Sequence, residues 1–136
     1  MTAGDSNYER GLGVRKEVLG EEYVETSLER TTPFSADFQN LLTRYAWGEI
    51  WTRPGLDRKS RSCITLSALM ARGHLEELAL HVRGALRNGL TEEEIKEVFL
   101  QGAIYCGVPA ANAAFAVAQP VLAEHHGSQE AAGDAS

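Results

Sequence analysis

The stretch from Gly73 to Phe115, GHLEELALHVRGALRNGLTEEEIKEVFLQGAIYCGVPAANAAF, decides the fold. Leu75, Leu78, Val82, Ala85 and Leu86 recur at three- and four-residue intervals, so they share one side of a helix packed against a core. Asn88 and Gly89 then supply a stop, because both tolerate the left-handed conformation that closes a helix. Thr91 to Glu94 reads as a capping box that opens a second helix. The inner stripe of that helix is Ile95, Val98, Phe99, Gly102 and Cys106, with Gln101 and Tyr105 together on one flank. Gly107 interrupts it, and Pro109 suits the first turn of a last helix, Ala110 to about Glu124.

Towards the N terminus, the pattern predicts a helix from about Tyr8 to Leu19 ended at Gly20, then an extended connection through Pro33. Helical spacing returns from Phe34 to Tyr45, carried by Phe34, Phe38, Leu41, Leu42 and Tyr45, with Ser35 as a cap. Trp47 and Trp51 follow at i, i+4. Arg53, Pro54 and Gly55 break the pattern, and Asp57 or Ser60 starts a helix that runs to about Arg72. Its segment from Cys63 to Ala71 is apolar almost all round, which marks burial at the centre of the fold or by a neighbouring subunit. No strand-like alternation of useful length is present, so the expected fold is all-α, a compact bundle of about six helices. Residues 1–7 are expected to be a flexible N terminus, 8–124 a single domain, and 125–136 a disordered tail. His125 and His126 are assigned to that tail rather than to a ligand set.

A chain of 136 residues suits one domain with one core. The net charge of -6 and the lack of a basic stripe argue against nucleic-acid binding. No apolar run reaches the roughly 18 residues a membrane span needs. The opening MTAGDSNYER has no signal-peptide core, so the cytoplasm is the simplest compartment. Cys63 and Cys106 form no C-x-x-C pair, which suggests neither a redox motif nor a zinc framework.

His74, Glu77 and His81 stand at i, i+3 and i+7 and project within about 60° of one another, beside the apolar stripe. Two imidazoles and a carboxylate so placed serve as proton-transfer groups, as metal ligands or as polar residues at a helix boundary. The set lacks the i, i+4 histidine pair typical of helix-borne zinc, and no metal is expected.

The chain resembles the carboxymuconolactone decarboxylase family in four ordered blocks. They are YERG at Tyr8 to Gly11, FQNLLTRYAWGEIWTRPGLDRKSRS at Phe38 to Ser62, HVRGALRNGLTEEEIKEV at His81 to Val98, and QGAIYCGVPAANAAF at Gln101 to Phe115. The resemblance implies the helical fold shared with alkylhydroperoxidase D-like proteins, and assembly into a homo-oligomer, a trimer or hexamer. In the peroxidase-like members a Glu, a C-x-x-C pair and a His act together. If His81 matches that His, then Ser62 stands for the Glu, and His74 and Glu77 for the cysteines, so the redox chemistry is not expected here.

The family reaction implied is cofactor-free decarboxylation of 4-carboxymuconolactone to β-ketoadipate enol-lactone, in the protocatechuate branch of aromatic catabolism. The carbon that loses carbon dioxide is conjugated through a ring double bond to the lactone carbonyl, which accepts the electron pair as a dienolate. Such a reaction needs a group to stabilise that charge, a grip on the retained acetate arm, and one proton delivered to carbon. The resemblance points to His81 for proton delivery, with Glu49 and Glu77 orienting it or relaying the proton. Arg53 is the expected clamp on the small dicarboxylate lactone, with Arg61 next, since guanidinium groups match carboxylates bidentately. Trp47, Trp51, His74, Gln101 and Tyr105 complete the expected substrate-binding set, although aromatic residues at these spacings also serve as core. An enzyme acting on a related small lactone or acid, and a non-catalytic oligomer that binds an aromatic acid, fit the same residues.

Overall fold

The computed structural model describes residues 3–135. The elements are α1 (Ala3–Leu19), α2 (Glu21–Glu29), α3 (Ala36–Leu41) running directly into a π-helical segment (Leu42–Ile50), α4 (Arg58–Arg72), α5 (Leu75–Arg87), α6 (Glu92–Cys106) and α7 (Val108–Ala135). The described residues contain no strand, so the all-α class holds. Two compact units divide the chain inside α4, one up to Arg61 and one from Ser62 onward.

In the first unit α1 packs on the π-helical segment and on α2. Gly11 and Gly48 permit the closest approach. A methyl group on Gly11 would lie 1.8 Å from the Thr43 carbonyl oxygen, and one on Gly48 would lie 2.5 Å from that of Asn7. Val14, Val18 and Val24 are buried around this contact. The extended connection expected after Gly20 is instead the two-and-a-half turns of α2. Gly20, at φ 95°, breaks the chain direction, and fully buried Val24 holds the otherwise polar α2 against α1.

The helix expected from Phe34 to Tyr45 starts at Ala36 and changes register at Leu42. Ser35 precedes it without capping it, and its Oγ accepts from the Thr32 N–H. The expected inner stripe is corrected. Phe34, Phe38, Leu41 and Tyr45 are exposed in the single chain, while Thr43, Trp47 and Gly48 face inwards. Phe34, Phe38 and Leu41 precede the π-helical segment; within it the wider register puts Trp47 and Gly48 on the inward side with Thr43 and leaves Tyr45 outside. Arg15 is also buried; its Nη1 donates to Gln39 Oε1 and Thr43 Oγ1, each at 3.2 Å. Burial lowers its pKa, against the opposing effect of Tyr23 and Tyr8.

The second unit has one core of Leu66 and Met70 from α4, Leu78, Val82 and Ala85 from α5, Ile95 and Phe99 from α6, and Ala111, Ala114, Ala118 and Val121 from α7. Each large side chain buried here contributes about 1.5–3 kcal/mol. Phe99 meets Phe115 edge-on at 5.4 Å. The capping box forms as expected: Thr91 Oγ1 accepts from Glu94 N–H, and the Glu94 carboxylate accepts from Thr91 N–H. Asp57 likewise accepts from the Ser60 N–H at 2.8 Å ahead of α4, which holds its carboxyl below the usual range.

Only one face of α4 is buried within the chain, with Ile64, Ala68 and Ala71 exposed. Both ends are more regular than composition suggested. Helix α1 begins at Ala3, and α7 continues past Glu124 to Ala135. The expected tail is thus helix over its described part, tied at its start by Arg83 to Glu124 at 3.2 Å and by His126 to Glu92 at 2.6 Å. Residues 1, 2 and 136 of the expected flexible ends lie outside the described residues.

Candidate functional site

The second unit carries His74, Glu77, His81, Gln101 and Tyr105. His74 sits at the start of α5, and its Nε2 accepts from the Arg72 Nε–H at 3.3 Å. Glu77 lies one turn before His81 and is exposed. His81 is half-buried between the core residues Leu78, Val82 and Ala85 of its own helix. Desolvation lowers its pKa from 6.5 to about 4, so the imidazole is neutral at neutral pH. Gln101 and Tyr105 line an apolar groove of about 850 Å³ between α4 and α6, together with Cys63, Ile64 and Val98. His81 is not among the residues lining that groove. Among the described residues, no three His, Cys, Asp or Glu side chains come together as a metal site.

The first unit carries Trp47, Glu49, Trp51, Arg53 and Arg61. Trp47 is buried and stacks on Trp51, with ring centroids 4.9 Å apart and planes 18° apart. Glu49 is exposed, and its Oε1 accepts from Asn7 Nδ2 at 3.1 Å. The Asn7 Oδ1 accepts in turn from Arg10 Nη2, and Arg10 Nε–H donates to the Gly48 carbonyl at 3.3 Å. Glu49 also lines a polar cavity of about 450 Å³ with Asn40, Arg44 and Tyr45. Arg61 turns its Nη2 onto the Arg53 carbonyl oxygen at 2.9 Å, so it braces the loop before α4. The Arg53 side chain is exposed. Arg58 forms an ion pair with Glu17 at 2.7 Å, so its charge serves the fold.

Sequence reasoning missed Asn7, Arg10 and Arg44, which stand around Glu49. It also missed the Asn88 Nδ2 to Ser62 Oγ bond, 2.9 Å long, that joins α5 to α4. The spacing of Asn7 and Arg10 in α1 marks them as neighbours one turn apart. Nothing local to the sequence sets them against residue 49.

The model of the carboxymuconolactone decarboxylase family matches residues 36–120. The chain is 48% identical over 118 residues to a 4-carboxymuconolactone decarboxylase of Acinetobacter baylyi, covering 87% of this chain and 88% of that protein. It is 49% identical over 115 residues to a nitrosuccinic acid decarboxylase of Metarhizium robertsii, covering 85% of this chain and 80% of that protein. A 4-carboxymuconolactone decarboxylase of Pseudomonas putida is 40% identical over 42 residues, 31% of this chain and 88% of that protein.

Proposed function

This chain belongs to the carboxymuconolactone decarboxylase family, and on that premise we propose that it is a carboxy-lyase that converts 4-carboxymuconolactone to β-ketoadipate enol-lactone without a cofactor. The observation that carries the proposal is the 48% identity, over 87% of the chain, to the Acinetobacter decarboxylase. The similar identity, 49% over 115 residues, to a nitrosuccinic acid decarboxylase supports a second substrate reading.

The two acids share a chemical core. In each, the departing carboxylate sits on a carbon that also bears a carboxymethyl arm, so both contain a succinate unit. In each, that carbon is joined to an electron sink, the conjugated lactone carbonyl in one and the nitro group in the other. Loss of carbon dioxide leaves the bonding pair on the sink, and a proton then goes to carbon. The protein's tasks are to hold the carboxymethyl carboxylate, to stabilise charge on the sink, and to supply the proton.

His81 is the proposed proton-transfer group. Because burial keeps it neutral, it acts as a relay rather than as a resident imidazolium: one ring nitrogen gives its proton to carbon while the other takes one from water. The exposed Glu77, one turn away, is the proposed partner for that exchange. Arg53, exposed on the loop before α4, remains a proposed substrate-binding residue, as a cation for the charge that forms on the electron sink. Tyr105, Ile104 and Val108, each at least 75% exposed, support assembly into a homo-oligomer that covers this face.

Turnover of freshly prepared 4-carboxymuconolactone tests the reading. Replacing His81 with Ala or Gln is expected to lower kcat by about 10² to 10⁴. Activity of the unaltered protein should show no step near pH 6.5, where a histidine of ordinary pKa titrates, because His81 keeps its neutral form down to about pH 4. Full kcat in both variants would remove His81 from the chemistry.

A further inference from the structure

The π register of Leu42–Ile50 has a chemical consequence. Trp51 N–H donates to the Ala46 carbonyl, five residues back, at 3.0 Å. In an α-helix Arg44 and Glu49, five residues apart, would point about 140° away from each other. In the π register the fifth residue lies roughly one turn on, and both side chains line the same cavity of about 450 Å³. That size suits a small ligand. Asn40 and Asp37 from α3 and Asn7 from α1 complete its wall.

Arg44 and Glu49 each have a neutral amide partner of their own. The Asn7 amide accepts from Arg10 and donates to Glu49, so Glu49 is held as an acceptor. Arg44 Nη1 meets the neutral amide oxygen of Asn40 at 3.4 Å. Among the described residues, Arg44 forms no ion pair with Glu49. One wall therefore offers the Arg44 cation, another offers the Glu49 carboxylate with its Asn7 partner, and Asp37 adds a second carboxylate at the rim.

We propose that this cavity binds the succinate unit of the substrate, with the retained carboxymethyl carboxylate on Arg44 and Asn40 and the departing carboxylate turned towards Glu49. Arg44 matches a carboxylate with paired N–H donors. Glu49 repels the departing group while it is charged, and that repulsion disappears when neutral carbon dioxide leaves. Asn7 and Arg10 are positioning residues that keep Glu49 from swinging onto Arg44. The assignment rests on reading the chain as a decarboxylase of substituted succinates.

Succinate itself, which lacks the electron sink, is the probe, and its binding to the full chain is measured by calorimetry beside turnover of the lactone. Arg44→Gln is expected to weaken succinate by about tenfold or more, with partial recovery in Arg44→Lys. Glu49→Gln is expected to tighten succinate several-fold and lower KM while kcat falls, the signature of relieved ground-state repulsion. Arg30→Gln, a charge control outside the cavity, should change neither. Succinate that fails to bind the unaltered chain, or that binds Arg44→Gln and Glu49→Gln as it binds the unaltered chain, overturns the site even if turnover is intact. Absence of turnover with the succinate pattern as expected would instead overturn the decarboxylase reading. If Arg44→Gln does not fold, the opposite movement of affinity and kcat in Glu49→Gln decides.

Discussion

His81 shows how an environment sets a protonation state. Its pKa in the folded protein, about 4, lies below the ordinary 6.5 because burial disfavours the charged ring. As pH falls, the unfolded chain therefore takes up this proton before the folded chain does. The stability linked to His81 is complete above about pH 6.5 and is lost between about 6.5 and 4, by about 3 kcal/mol in all. Urea unfolding at pH 7 and pH 4.5 should show a smaller loss in His81→Leu than in the unaltered protein; equal losses would mean that the ring is not desolvated. The position of His81 beside an apolar stripe was legible in the sequence. Its neutrality was not, because that depends on how much water the second unit excludes. The surroundings of Glu49 were not legible, since Asn7 and Arg10 lie 42 and 39 residues away from it along the chain.

Among the elements, α5 and α6 were read almost residue by residue. The Thr91–Glu94 box and the stop at Asn88 and Gly89 are local devices that need no tertiary context. The π-helical segment is the opposite case. A spacing of three and four residues between Phe34 and Tyr45 suggested an inner stripe, yet packing of α1 through Gly11 and Gly48 selects Thr43, Trp47 and Gly48 instead. Side-chain periodicity cannot announce that choice, because the glycine contact joins distant parts of the chain. Gly11→Ala and Gly48→Ala are expected to destabilise the protein by about 1–3 kcal/mol or more, since both new methyl groups would meet main-chain atoms. Gly13→Ala, in the same helix with open space around it, should be neutral or stabilise by up to about 1 kcal/mol. Thermal unfolding of the three variants checks this, and equal effects at all three positions would contradict the packing account. Helix α2 escaped notice because a short, strongly acidic segment offers little beyond Val24 to mark an inner face.

For the whole molecule, composition and patterning were enough for the all-α class and for the absence of a helix long and apolar enough to cross a membrane among the described residues. They did not reveal two compact units, since each unit draws on helices whose partners are chosen by shape. The exposed apolar residues of α4 and α6 carry the inference of assembly. Sedimentation at micromolar concentration should show a species larger than the 14.8 kDa chain, and Tyr105→Glu with Ile104→Glu should shift it towards monomer. A monomer throughout would leave that face to another partner. The proposed function rests on identity to two relatives named as decarboxylases, and this makes release of carbon dioxide the decisive observable. Incubated with freshly prepared 4-carboxymuconolactone, the purified chain should release one carbon dioxide per lactone consumed and form enol-lactone, with nitrosuccinate as the parallel substrate. Release from neither acid, by a folded and correctly assembled protein, would contradict the account.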